Sequence, residues 1–319
     1  MEQQLPLVSI ITVNYNQAKV TTELLDSVRV NSYPSVEIIV VDNASDQDPG
    51  PFLKEKYPEI KYIRSDENLG FSGGNNLGIQ ASTGDYLFFI NNDAELTKGA
   101  IETLLNLFGA IPNLGIVSPL LCYYNQAPDT HSDIIQYAGT TPVHPLTARN
   151  KTIGELQPDN GQFDRAVPTA YAHGAAMMVP RKVIEHVGLM PELFFLYYEE
   201  LDWSEQIRRE GYAVYLEPRA KIYHKESVSV GKMSTLKTHY LNRNRILFIR
   251  RNRSGWQLAG FILFLLFCTI PKNALLHILK GELDHRMTFV RDIKWHTKNP
   301  DGRDEKPSFS QAPSLQDVS

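Results

Sequence analysis

Cysteine is nearly absent from this 319-residue sequence: Cys122 and Cys268 are the only two, and both sit in apolar surroundings. A disulfide framework and a zinc-ligand spacing are thereby excluded, and a reducing compartment is the natural setting. The N-terminal stretch Met1 to Pro6 lacks a basic region and a long apolar run, so no secretory signal is expected. There is no internal repeat. Acidic residues are missing from one long window, Glu226 to Glu282, which carries Lys232, Lys237, Arg243, Arg245, Arg250, Arg251, Arg253, Lys272 and Lys280. With a formal net charge of −4 overall, the rest of the chain is clearly acidic. Such asymmetry points to an anionic partner surface near the C-terminus, and nothing in the sequence points to a nucleic acid.

What is present is an ordinary globular composition, 42% hydrophobic and 21% charged. Short β-branched runs alternate with helical periodicity. Leu7–Val13, Val36–Val41, Ile60–Ile63 and Tyr86–Ile90 read as buried strands, and another begins at Ile116–Val117. Between them, Val20–Val30, Pro51–Tyr57, Asn75–Ala81 and Lys98–Leu107 read as helices. This order predicts an α/β fold, a doubly wound, mostly parallel sheet with helices on both faces. Residues 123–166, rich in Pro, Thr, Asn and Asp, read as loops and short antiparallel strands. Order returns with the strand-like Thr169–Val179, a helix from Arg181 and the aromatic stretch Leu193–Tyr198. The helix Glu199–Glu210 stops at Gly211, and short strands follow at Val214–Leu216 and Ile222–Tyr223.

In a doubly wound sheet, ligands bind beyond the carboxyl ends of the strands. Polar groups stand at each such end: Asn14 and Asn16 after the first strand, and Asp42-Asn43-Ala44-Ser45 after the second. Arg64, Asp66, Asn68 and the glycine-rich Gly70-Phe71-Ser72-Gly73-Gly74 follow the third; Asn91-Asn92-Asp93-Ala94-Glu95 follows the fourth. Asp and Asn terminate strands for local reasons too, but four successive clusters point to a ligand site. The glycines, Gly70 and Gly74 among them, let a ligand approach the backbone, and a helix N-terminus near Asn75 offers donors to an anion.

The ordered set Val8-Ser9-Ile10-Ile11-Thr12-Val13-Asn14-Tyr15-Asn16, Val40-Val41-Asp42-Asn43-Ala44-Ser45, Glu67-Asn68-Leu69-Gly70-Phe71-Ser72-Gly73-Gly74-Asn75 and Asn91-Asn92-Asp93 resembles family 2 glycosyltransferases of the GT-A fold. It is most similar to the rhamnosyltransferase-like branch, over roughly residues 7 to 250. The resemblance implies that Asp42 holds the nucleoside, and that Arg64, Asn68 and Gly70 line the nucleotide pocket. It places Asn91-Asn92-Asp93 at the family's metal-binding motif, with Asn91 where the first acid stands, so that Asp93 carries the carboxylate. It further implies a divalent cation, Mn²⁺ or Mg²⁺, at Asp93 with His224 as a second ligand. Glu200 becomes the general base, with Glu199 as the fallback and Asp202 bracing the loop or contacting the acceptor. On composition alone, those three carboxylates could equally answer the helix dipole. The implied reaction is inverting transfer from a dTDP- or UDP-linked sugar, rhamnose or hexose, to a glycan or lipid-linked acceptor.

Domain organisation follows: a catalytic domain over 1–235, its nucleotide-sugar half to about 120 and its acceptor half beyond, a basic and apolar helical extension over 236–296, and a disordered tail over 297–319. In the extension, Leu236–Arg251 reads as a basic helix. The uncharged Leu258–Ile270 is short for a span of about 20 residues; Pro271 and Lys272 interrupt it before Leu275–Leu279. It is expected to lie in or dip into an anionic bilayer, placing the protein in the cytoplasm or peripherally at the cytoplasmic face of the inner membrane. Two other classes compete. Gly70-Phe71-Ser72-Gly73-Gly74 fits a serine-hydrolase pattern, although the third strand ends too early for a nucleophile elbow at Ser72. Asn91 leaves room for a sugar-nucleotide binder without turnover.

Overall fold

A computed structural model describes residues 5–31, 33–126, 129–225, 235–272 and six positions between 291 and 299. They fall into two compact units, Met1–Val143 with Asn150–Ser229, and His144–Arg149 with Val230–Ser319. Leu275–Leu279 and most of the expected tail lie outside the described residues.

The larger unit is an α/β sandwich. Strands β1 (Val8–Asn14), β2 (Val36–Asp42), β3 (Ile60–Arg64) and β4 (Tyr86–Ile90) are parallel neighbours in the order β3-β2-β1-β4. β5 (Ala94–Leu96), β6 (Leu114–Gln126), β7 (Asp129–Tyr137), β8 (Val167–Pro168), β9 (Ala176–Pro180) and β10 (Ala213–His224) complete the sheet. Beyond β4 come β9, β6, β10 and β5; β9 runs antiparallel to both β4 and β6, while β10 is parallel to β6.

Continuous apolar runs form the central strands because both of their faces are covered. Successive side chains alternate between two cores: Ile10, Val40 and Phe88 face one, and Ile11, Val41 and Phe89 the other. The first core is closed by α1 (Ala18–Arg29), α2 (Gly50–Lys56) and α4 (Ala100–Ala110) through Leu24, Leu53 and Leu104. The second is closed by α3 (Gly70–Ala81), α5 (Arg181–Val187) and α6 (Glu199–Arg209) through Ile79, Ile184 and Trp203. Each large apolar side chain fully buried this way contributes about 1.5–3 kcal/mol.

Three expectations change. The helix expected at Asn75–Ala81 begins at Gly70, so the glycines lie inside α3. A Cβ on Gly74 would sit 2.8 Å from Val13 Cγ1, and one on Gly78 would collide with Ile11; this face is bare so that α3 can lie against β1. The strand begun at Ile116–Val117 runs from Leu114 to Gln126, and β7 pairs antiparallel with it, within the stretch read as loops and short strands. The short strands Val214–Leu216 and Ile222–Tyr223 are one strand, β10, with an irregularity between Glu217 and Lys221.

The smaller unit holds α7 (Thr235–Asn252) and α8 (Gly255–Phe264), which continues through a π-helical turn, Leu265–Thr269. In α7, the Arg243 guanidinium lies over the Trp295 ring at 4.6 Å. Among the described residues the helix runs through Pro271 to Lys272. The wider π turn stands just ahead of the proline, which lacks an N–H and crowds the preceding turn. Gly255–Lys272 is thus an 18-residue helix of hydropathy 1.4, long and apolar enough to cross a membrane by length and composition.

Candidate active site

Strand register assembles the polar edge. Asn14 pairs with Asp42, and Asp42 with Arg64, so the carboxyl ends of β1, β2 and β3 present these three side by side. Asp42 is fully buried. Its Oδ1 accepts from Asn14 Nδ2 at 2.7 Å and Ser45 Oγ at 2.5 Å; its Oδ2 accepts from Arg64 Nη1 at 2.7 Å. Arg64 Nη2 donates to the Ser45 carbonyl at 2.7 Å. Asn16, with φ 54°, closes the neighbouring loop by donating its N–H to Ser45 Oγ at 2.8 Å. Asn68 Oδ1 accepts from Asn43 Nδ2 and from the Gly70 N–H, each at 2.9 Å, joining the loops after β2 and β3. Asn92 donates to Thr21 Oγ1 at 3.1 Å, and that hydroxyl donates to Asn14 Oδ1 at 2.9 Å. Asn14, Asn16, Asp42, Arg64, Asn68, Gly70 and Asn92 thus belong to one knitted edge, whereas Gly74 faces β1.

The antiparallel pairing of β10 with β5 sets His224 opposite Ala94, and so beside Asp93. His224 Nε2 lies 3.0 Å from Asp93 Oδ1, with both side chains nearly buried. His224 Nδ1 lies 2.8 Å from Gln136 Oε1; an amide oxygen only accepts, so this contact puts the ring proton on Nδ1. Asn91 Nδ2 stands 3.4 Å from Nε2 on the other side. An imidazole nitrogen and a carboxylate oxygen 3.0 Å apart match adjacent corners of an octahedron with metal–ligand bonds of about 2.1 Å. The pair therefore fits a divalent cation, and imidazole favours Mn²⁺ over Mg²⁺. Among the described residues, no group of three His, Cys, Asp or Glu forms a ready-made cage. Glu95 is engaged elsewhere, its Oε1 2.7 Å from His131 Nε2.

Glu199 and Glu200 open α6, behind the stretch Phe195, Tyr197 and Tyr198, all at positive φ (64°, 67° and 77°). The Phe71 N–H holds that stretch by donating to the Phe195 carbonyl at 2.8 Å. Gly70, at φ +69°, has no Cβ to collide with the same carbonyl. Burial raises the Glu200 carboxyl to about 7, outweighing backbone N–H groups that pull it down. Burial and the neighbouring Glu200 raise Glu199 well above the carboxylate range. Oε2 of each finds no hydrogen-bond partner. Asp202 is fully buried and accepts from Gln206 Nε2, one turn on in α6, at 2.8 Å.

The two carboxylate regions meet at the turn before β9. A Cβ on Gly174 would lie 3.9 Å from the Glu200 side chain, and the His173 ring packs edge-on to His224 at 6.3 Å. Burial, and secondarily His224, pushes His173 down to about 3, so that it stays neutral. Its Nδ1 accepts from the Ala175 N–H at 3.0 Å, which leaves the proton on Nε2. Ser72 is fully buried inside α3 with no partner for its Oγ, so the nucleophile-elbow reading fails. Gln136 was not foreseen: it lies on β7 between the buried Ile135 and Tyr137, and no spacing in the sequence marks it.

A mixed sheet with this polar edge defines the class, the GT-A type of glycosyltransferase. A mannosyltransferase from Pyrobaculum calidifontis, solved with GDP-Man and Mn²⁺, shares the fold with a TM-score of 0.55 at 17% identity, over 90% of this chain and 84% of that one. Residues 9–188 match glycosyl transferase family 2, and the chain belongs to that family. The low-salt glycan biosynthesis hexosyltransferase Agl10 of Haloferax volcanii is 30% identical over 75% of this chain and 74% of its own length. The N-acetylglucosaminyl-diphospho-decaprenol L-rhamnosyltransferase of Mycobacterium tuberculosis is 22% identical over 77% and 85%. The protein is a glycosyltransferase of the rhamnosyltransferase-like branch.

Proposed function

We propose that this enzyme transfers rhamnose or a hexose, with inversion, from a dTDP- or UDP-linked donor to a lipid-linked or polysaccharide acceptor at the cytoplasmic face of a membrane. The observation that carries this reading is the buried Asp93–His224 pair, 3.0 Å apart, joined through the His173–Gly174 turn to a carboxyl raised to about 7 at Glu200. Asp93 and His224 would hold a divalent cation, which supplies charge to neutralise the leaving diphosphate. Arg64, Asn68 and the edge around Asp42 would orient the nucleoside. Glu200 takes the proton of the acceptor hydroxyl as its oxygen bonds to the anomeric carbon. The bond from that carbon to the diphosphate oxygen breaks, and its electron pair leaves with the nucleoside diphosphate. The names of the two relatives support a glycan or polyprenyl-linked acceptor. In the domain scheme we propose, residues 1–235 carry catalysis and 236–296 attach to the membrane through the helix at Gly255–Lys272.

Thermal stabilisation by a panel of nucleotide sugars, with and without Mn²⁺, tests this. One dTDP- or UDP-sugar is expected to raise the Tm of the wild type only with Mn²⁺, and to lose that effect in Asp93→Asn and His224→Ala. A protein that no nucleotide sugar stabilises refutes the reading. The amide at Asn91 favours a second reading, a donor binder without turnover; stabilisation with no transfer to any acceptor and no donor hydrolysis selects it.

A further inference from the structure

We infer that Gln136 is a positioning residue that presents the Nε2 lone pair of His224 to a cation shared with Asp93. This rests on the metal-binding reading above, but the observations behind it are separate.

Gln136 is buried, 6% exposed, on β7, which pairs with β6 off the main path of the sheet. Its side chain reaches His224 on β10, where Oε1 accepts the Nδ1 proton at 2.8 Å. A neutral imidazole carries one ring proton, so a proton fixed on Nδ1 leaves Nε2 as an acceptor. On that side Asn91 directs an amide donor at Nε2 from 3.4 Å, as suits a lone pair there. Asp93 Oδ1, an acceptor only, lies 3.0 Å from the same nitrogen. Two acceptors at that separation repel unless a cation or proton lies between them, so the fixed tautomer creates a demand for positive charge at this spot.

The residue type matters. An apolar side chain would fill the same space but leave the ring free to adopt either tautomer. A carboxylate would fix the tautomer but bring another negative charge beside Asp93. An amide oxygen fixes the tautomer without adding charge. Outer partners of metal-binding histidines commonly change metal affinity by about 10–100-fold when removed.

The experiment measures Mn²⁺ binding, through loss of the free-ion EPR signal, on the full chain. Gln136→Met keeps length and removes the acceptor; Gln136→Glu keeps the acceptor. The inference expects Mn²⁺ affinity to fall about 10–100-fold in Gln136→Met and to stay closer to wild type in Gln136→Glu. In a His224→Ala background, Gln136→Met should add no further loss. On the unaltered protein, ¹⁵N-labelled histidine NMR should find the His224 proton on Nδ1 at a pH where the ring is neutral, which needs no variant to fold. A proton on Nε2, an unchanged affinity in folded Gln136→Met, or an equal loss in the His224→Ala background overturns the inference and leaves the metal reading standing. A wild type that binds no Mn²⁺ overturns both.

Discussion

Replacing Glu200 by Gln should cripple catalysis and make the protein more stable. Burial raises this carboxyl from 4.5 to about 7, so the folded state holds its proton more tightly than the unfolded chain. At low pH the group is neutral in both states and costs nothing. Between these two values the unfolded chain ionises first, and stability falls as pH rises. Above about 7 the fold carries the full cost of a desolvated charge. At about 1.4 kcal/mol per pH unit, the gap bounds that cost at about 3 kcal/mol. Glu200→Gln removes it, while Glu199 remains in both proteins. Thermal melts should show the variant at or near wild-type stability at pH 4.5 and above wild type at pH 8, by up to about 3 kcal/mol. Transfer should fall by about 10²–10⁴-fold, and the rising limb of kcat/KM near pH 7 should vanish. A variant that melts no higher than wild type at pH 8, or keeps that limb, refutes the assignment of the raised carboxyl to Glu200.

Two further outcomes follow from geometry. Gly70→Ala forces a Cβ into left-handed backbone, at about 1–2 kcal/mol, and into the Phe195 carbonyl; the transfer rate should fall more than donor affinity, measured by single-turnover kinetics beside donor titration. Trp256 and Phe267, 92% and 74% exposed on the apolar helix, should drive membrane contact; Trp256→Ser with Phe267→Ser should reduce co-sedimentation with anionic vesicles while activity on a soluble acceptor persists.

The parallel half of the sheet was readable because these strands are short apolar runs, β-branched or aromatic, ending in a polar cluster: Val8–Asn14, Val36–Asp42 and Tyr86–Ile90 differ from expectation by a residue or less. Pattern stopped helping where packing decides. The start of α3 at Gly70 is hidden because glycine has low helix propensity; the close approach of Gly70 to the Phe195 carbonyl and of Gly74 and Gly78 to β1 is what explains the glycines there. β5 is a three-residue strand held by β10, far away in sequence. Asp93 and His224 could be named from family resemblance, but their approach depends on that long-range register. Gln136 could not be found, because a buried glutamine carries no periodic signature and its meaning lies wholly in the ring it touches.

The antiparallel insertion of β9 bears on how the chain is made. Among the described residues, β6 reaches β4 through β9, and β5 joins the sheet through β10. A nascent chain that has not yet exposed residues 176–180 therefore carries two sheet fragments without the strand that joins them, and β5 waits for residues 213–224. The polar edge of β1, β2 and β3 is thus translated early, whereas the Asp93–His224 pair forms only after residue 224 is made, and the apolar margins of β4 and β6 stay uncovered until β9 arrives.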